Sequence, residues 1–376
     1  MPFYNRLRWK IKDAAQRQRA ARNLIALRDQ LDRSVPPKDA EDNLLLATWN
    51  IRDFGKPVPQ RRGWGPRLPE TWFYIAEVIS RFDFVAVQEV NQLDELGHVM
   101  DILGPDWDYI ATDETDRSIG GNGERMTFVF DRRKVHFEKV AGEIVLPPQL
   151  LISEATLEIR GEKVIAGKQF RRTPFIASFR SGWLKFDICT VHIYYGDDAG
   201  EELDQRIEEI ETIAEYLSER ADRALGDDRA LFLLGDFNIV SPDHETMKAL
   251  TDNGFVVPRA LQENPTTGTK KHYDQIGFKT KPDLLEYVDS RSDDPLKRNA
   301  GVVPIFTHVF RPSQFDDYAD FVKSKTTAGR KAADERKLKK VYLEWRTYQF
   351  SDHFPMWVRL KTDGSGAYLD RLLQET

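Results

Sequence analysis

The feature that most constrains this chain is a series of short apolar runs, rich in β-branched and aromatic residues and bounded by turn-formers. They fall at residues 44–51, 84–90, 126–131, 174–179, 185–195, 230–234, 273–278 and 355–361. Helical periodicity separates only some of them. "TWFYIAEVISRF" is one such segment. The clearest is residues 201–225, where Leu203, Ile207, Ile210, Ile213, Leu217 and Leu225 form one stripe at three-four spacing. Many strands, few helices and no regular βα alternation predict an α/β chain of two packed sheets flanked by helices. No internal repeat is present.

Composition decides which classes remain. With 376 residues and 40% hydrophobic content, the chain can bury a large core. Its one cysteine, Cys189, excludes an internal disulfide framework and a cysteine-rich zinc site. The basic N-terminus has no continuous apolar segment, and no run approaches the ~18 apolar residues of a membrane span. The expectation is a soluble, cytoplasmic protein with no membrane partner.

The net charge of −6 is unevenly spread. Residues 1–40 hold ten Lys/Arg against four Asp, leaving the remainder at −12. Residues 5–33 read as a helix of poor apolar period, stopped by "VPPKD". The segment 1–40 is therefore expected to be a basic helical extension appended to a catalytic domain at 41–365. Its charge fits either an anionic partner or a solvated helix face. Residues 290–345 interrupt the strand pattern as a charged insert. Within it, 313–340 reads as helix with a glycine break and holds eight Lys/Arg against five acids. This reads first as a solvated hairpin, with a second substrate-facing surface as the other possibility.

Six strand ends then stop on residues that a turn alone does not explain. "LLLATWNIRDFG" delivers Asn50 and Arg52, "FVAVQEV" delivers Glu89, and "FDICTVHIYYG" delivers His192. "LFLLGDFN" ends on Asp236 and Asn238, "YDQIGF" starts at Asp274, and "SDHFP" sets Asp352 beside His353. Each has a plain reading as a turn residue or a buried histidine. Together they fit metal-assisted phosphoester cleavage. Oxygen ligands from Asn50, Glu89 and Asp352 suit a hard cation such as Mg²⁺ or Mn²⁺. Two histidines can act as acid and base, or donate to phosphoryl oxygens. Asp274 is the natural carboxylate to orient His353. Asp236 can align an attacking water while Asn238 holds a phosphate oxygen.

From about Leu44 to Leu360 the chain resembles the endonuclease/exonuclease/phosphatase superfamily, in its DNase I-like branch. The resemblance runs in order through "WNIRDFG", "QEV", "ERMTFVFDRRKV", "RRTPF", "TVH", "GDFN", "YDQI" and "SDHFP". It implies a four-layer α/β sandwich, two packed mixed sheets with helices outside. It implies a metal at Asn50 and Glu89 with Asp352 at or near it, and Asp236 and Asn238 at water and phosphate. It also implies the Asp274–His353 pair. A histidine at position 192 separates this branch from the exonuclease III relatives, which carry Tyr there. By the same match Glu124 orients His192, and Arg172 contacts substrate phosphate. Arg52 is expected to do the same. Two departures stand out. Asn91 and Asn122 replace the Arg and Tyr that enter the minor groove in DNase I, and the secreted enzyme's disulfides have no counterpart.

The expected activity is that of a Mg²⁺-dependent DNA endonuclease of low sequence specificity, with the basic extension and the insert supplying backbone contacts. The alternative is a phosphatase or phosphodiesterase acting on a small or lipid-linked phosphoester. A non-catalytic binding protein on the same scaffold would have lost one of Glu89, Asp236, His192 or His353, and none is lost.

Overall fold

The computed structural model describes residues 1–374 except 40, 115–122, 147–152, 160–161, 169, 171, 194, 227, 281–284, 286 and 288–291. Its strands, in chain order, are β1 (Asn43–Phe54), β2 (Phe84–Val90), β3 (Trp107–Ala111), β4 (Arg125–Asp131), β5 (His136–Glu143), β6 (Ser153–Ile159) and β7 (Glu162–Lys168). They continue as β8 (Phe175–Ser181), β9 (Leu184–His192), β10 (Ala230–Asp236), β11 (Asp274–Lys279), β12 (Ala300–Val302) and β13 (Met356–Lys361). One sheet has the order β12-β13-β1-β2-β4-β3 and the other β11-β10-β9-β8-β5, with β6 and β7 forming a separate hairpin. Each large sheet has a parallel pair at its middle, β1 with β2 and β9 with β10, flanked by antiparallel neighbours. Both sheets are mixed, as the motifs imply.

The continuous apolar runs follow from burial of both sheet faces. On β1, Leu44 and Leu46 point between the sheets, where they meet Phe84, Phe128, Phe186, Phe232 and Met356. Leu45, Ala47 and Trp49 point the other way, into a cluster closed by helices. On the far side, helices Glu201–Gly226 and Glu245–Thr251 cover the second sheet, burying Ile210, Ile213, Leu217 and Leu250. Helix, sheet, sheet and helix give the four layers. Among the described residues, no helix is long and apolar enough to cross a membrane.

Two expectations about the periphery hold only in part. The helix Ala14–Ser34 forms as expected, but one face of it is packed into the body instead of being solvated all round. Leu24, Leu27 and Leu31 are buried in the same cluster as Phe73, Tyr74 and Trp345. Several of its neighbouring charges are used internally: Arg19 pairs with Glu70 at 2.8 Å, and Lys38 lies 3.1 and 2.9 Å from Asp83 and Asp131. Nor is the insert a solvated hairpin. Helices Phe315–Lys325 and Glu335–Gln349 turn Tyr318, Tyr342 and Trp345 into that cluster and leave Arg336, Lys337, Lys339 and Lys340 outside. Both segments close the outer layer of the first sheet.

The Lys38–Asp131 contact gives the fold a pH-dependent element. Burial alone would raise the Asp131 carboxyl, but hydrogen bonds from Arg133 and Lys38 outweigh it and hold that group well below its usual value. A depressed carboxylate stabilises the fold above its unfolded pKa of about 4, and that contribution is lost as pH falls through the lower folded value. Asp131→Asn is therefore expected to be less stable than the parent at pH 7. In urea unfolding at stepped pH, the gap should narrow below pH about 4; a gap independent of pH would refute the account.

Candidate active site

Topology explains why six separate motifs meet. Asn50, Glu89, His192 and Asp236 lie at or near the C-terminal ends of strands in the two parallel pairs, so each pair delivers two of them to one edge. Asp274 opens β11 and His353 precedes β13, strands antiparallel to β10 and β1, so their starts reach that same edge. In the register Asp236 faces His192 on one side and Asp274 on the other. Gly235, at φ +133°, is needed here because a Cβ would overlap the Val191 carbonyl oxygen. Glu89 and Asn238 are held left-handed, at φ +62° and +52°. Such backbone costs ~1–3 kcal/mol per residue and is kept only where its surroundings enforce it.

The side chains converge on the Asp236 carboxylate. His192 Nε2 lies 3.6 Å and His353 Nε2 3.7 Å from the same Asp236 Oδ2. Asn50 Nδ2 donates to that oxygen at 2.9 Å and to Glu89 Oε1 at 3.0 Å. The Asn238 backbone N–H donates to Asp236 Oδ1 at 3.1 Å, and its side-chain amide donates to the Ile193 carbonyl. Each histidine has a carboxylate behind it. Glu124 Oε2 is 3.0 Å from His192 Nδ1, and Asp274 Oδ2 is 2.8 Å from His353 Nδ1. Asn50, His192, Asp236, Asn238, Asp274 and His353 are buried; Glu89 is partly open to solvent.

These carboxylates set one another's charge. Burial raises the Glu89 carboxyl, and the nearby Glu124 charge adds to the effect. Burial alone would also raise Asp236, but the charges of His353 and His192 outweigh it and hold Asp236 below its usual value. Burial would lower His353, yet Asp274 and Asp236 more than offset this and push the imidazole well above its usual value. Burial raises the Asp274 carboxyl as well, with the His353 charge opposing it.

A hard cation fits the donor set beside Glu89. Among the described residues the buried Asn50 Oδ1 has no hydrogen-bond partner, and Glu89 presents a carboxylate destabilised by burial and like charge. Both are relieved by an ion with oxygen ligands. By distance alone, Asp236, Asp274 and His353 could also hold an ion, each offering a ligand atom within 4.8 Å of the others. The hydrogen bond from His353 Nδ1 occupies one of those atoms.

The other expected residues are placed less simply. Asp352 stands at the rim, its side chain 41% exposed, and pairs with Arg52 at 3.0 Å. Arg52 lies over the Tyr348 ring at 3.8 Å and donates to the Tyr348 and Thr347 hydroxyls. Arg172 donates to Glu124 at 3.0 Å, and His192 Nδ1 lies 3.0 Å from the same carboxylate oxygen without a hydrogen bond to it. Asn91 is buried and donates to the Glu89 carbonyl, so it braces that backbone and does not project toward a groove. Asn122 lies outside the described residues.

No protein-family model matches the chain. It is 31% identical over 227 residues to a "Deoxyribonuclease" of Thioalkalivibrio sp. (strain K90mix), covering 57% of this chain. The chain spans about half of that relative, 52% of its length. Among solved structures, it superposes with TM-score 0.50 on an endonuclease/exonuclease/phosphatase family protein of Bacteroides thetaiotaomicron. That match has 19% identity and covers 85% of this chain and 95% of the other. A mannosyl-6-phosphatase from the same organism matches with TM-score 0.50 and 18% identity over 84% of this chain and 99% of its own. This is the endonuclease/exonuclease/phosphatase fold.

Within that fold, three supporting residues escape the motif reading. Ser351 Oγ donates to the Asn50 carbonyl at 2.7 Å and accepts from the His353 N–H at 2.9 Å, tying two site segments together. Gln88 Nε2 donates to Thr48 at 3.0 Å and to Thr190 at 2.8 Å, a buried cross-link between the sheets beneath the site. Ser351 and Gln88 sit inside quoted motifs, as neighbours of His353 and Glu89, which is the signal that could have found them. Tyr348 carries no such signal, because its partner Arg52 is far away in sequence.

Proposed function

We propose that this chain is a divalent-metal-dependent phosphodiester hydrolase that cuts nucleic acid, DNA first, with little sequence preference. The observation that carries the reading is the Asp236 carboxylate oxygen set between two imidazoles, each backed by its own carboxylate. Two proton-handling groups on one pocket suit a phosphorus centre that needs both an attacking water deprotonated and its oxygens stabilised. The similarity to a protein named Deoxyribonuclease supports a nucleic-acid substrate.

Each side chain has a role in this reading. Asp236, held ionised by its neighbours, accepts a proton from water and aligns it for in-line attack. His353, kept charged by Asp274 and Asp236, donates to a non-bridging phosphoryl oxygen. His192, oriented by Glu124, donates to a second oxygen, and Asn238 fixes the loop that presents Asp236. Glu89 and Asn50 would hold the metal, Mg²⁺ or Mn²⁺, and Asp352 would add a further carboxylate to that set. Bound there, the cation supplies charge neutralisation at the phosphoryl and leaving oxygens. Arg52 and Arg172 draw the polyanion to the rim.

Supercoiled plasmid gives the test. Nicking is expected with Mg²⁺ or Mn²⁺ and none with EDTA. Folded protein that leaves plasmid intact under every metal condition but hydrolyses a small phosphoester would replace the nuclease reading with the phosphatase one.

A further inference from the structure

Beside the buried cluster, the loop after β9 carries an aromatic ring into solvent. Tyr195 is 58% exposed. Its ring stands edge-on to Tyr273, with centroids 5.9 Å apart and planes at 73°. The Tyr273 ring in turn lies 5.8 Å from the His353 imidazole, inclined by 36°. Three rings therefore run from the buried His353 to open solvent. Trp183 is similarly exposed, but it packs on Tyr368 at the β8–β9 turn, the end of β9 away from His192.

The exposed ring is on a fastened loop. Arg206, fully buried, donates to the carbonyls of Gly196 at 2.6 Å and Asp197 at 3.2 Å, and to that of Asn238 at 3.1 Å. It also pairs with Asp198 at 3.0 Å, and its guanidinium lies 5.7 Å from the Tyr195 ring. Asp198 takes a second cation, Lys271, at 2.9 Å, which joins this loop to the one before β11. Both loops are pinned to the exit of β10, through Ile193 N–H to the Asp236 carbonyl and Phe237 N–H to the Tyr273 carbonyl. A rigid exposed tyrosine loses little conformational freedom when something packs on it, which is why such residues serve as binding anchors.

We propose that Tyr195, backed by Tyr273, is a stacking platform for a nucleobase adjoining the phosphate held at His192 and His353. The inference rests on the phosphodiesterase reading and narrows it: the site takes a base-bearing polynucleotide, in preference to a bare phosphoester. A ring platform tolerates sequence, because every base offers a π face. A base inside a duplex is already stacked on both sides, so the platform favours single-stranded or unpaired segments. It also supplies a contact of a different kind from the groove insertion that Asn91, turned inward to brace Glu89, does not make.

The test is equilibrium binding by fluorescence anisotropy, in EDTA so that nothing is cleaved. The probes are a labelled thymidine oligonucleotide and an equally long oligomer of abasic tetrahydrofuran nucleotides. The full chain is expected to bind the base-bearing strand on the order of tenfold more tightly than the abasic one. Tyr195→Ala should erase that preference while leaving affinity for the abasic strand unchanged, and Tyr195→Phe should keep it. Equal binding of both strands by the parent protein overturns the platform. So does a preference that survives Tyr195→Ala, or a Tyr195→Ala loss shared equally by both strands. A preference that depends on Tyr195 in a protein that cleaves no oligonucleotide would sustain the platform and overturn the phosphodiesterase reading, so the two stand or fall separately.

Discussion

Replacing His353 by alanine is expected to lower kcat for plasmid nicking by roughly 10²–10⁴-fold, the usual range for removing one acid–base group. The imidazole faces the Asp236 carboxylate at 3.7 Å and is held by Asp274 at 2.8 Å. The other imidazole, His192, lies 3.6 Å from the same Asp236 oxygen with Glu124 behind it, so the variant keeps one of the two. The substitution also leaves Asp274 buried with one fewer partner. Loss of activity must therefore be separated from loss of fold. Urea unfolding of the variant gives that control, and Asp274→Asn supplies a second arm, in which the imidazole remains but its orienting charge is gone. Retention of activity within a few-fold in a folded His353→Ala protein would remove this residue from the mechanism.

The largest stability effect is expected far from the site, at the N-terminal helix. Leu27 is fully buried among the residues that cover the first sheet. Leu27→Ala should cost about 2–5 kcal/mol, combining lost transfer energy with the cavity left behind. Deleting residues 1–40 should cost more still, because it uncovers Phe73, Tyr74 and Trp345 and strands the Glu70 carboxylate that Arg19 pairs with. Burial already raises that carboxyl even with the arginine present. Urea midpoints of the two variants give the measurement. A truncated chain as stable as the parent would show that the helix is an ornament to the fold. Because of this coupling, truncation is a poor probe of DNA contacts, and single surface substitutions such as Arg22→Ala test them more cleanly.

The same helix shows where sequence reading stops. Its buried positions are Ala20, Asn23, Leu24, Leu27, Gln30 and Leu31, a regular stripe. Two of the six are polar, so the apolar period looks poor from the sequence. They are tolerated inside because each finds partners: Asn23 bonds the Tyr74 and Tyr318 hydroxyls at 3.1 and 3.2 Å, and Gln30 the Pro304 carbonyl at 2.9 Å. Those partners lie tens to hundreds of residues away. In helix Glu335–Gln349, Leu338, Tyr342, Trp345 and Gln349 make an equally regular stripe that the surrounding lysines and arginines mask.

By itself the sequence determined the two-sheet sandwich and the residues that its strands carry to one edge. Both were legible because they are local. Alternation and apolar run length report a strand buried on both faces, and an Asn, Glu, His or Asp at a strand end is visible beside the run it ends. The tertiary structure alone decided how those residues share work. It set Arg172 against Glu124, turned Asn91 inward, paired Asp352 with Arg52 at the rim, and stood Tyr195 beside Tyr273. These are pairings between segments far apart in the chain. Their geometry is fixed by how two sheets and their helices pack, a property no window of sequence contains.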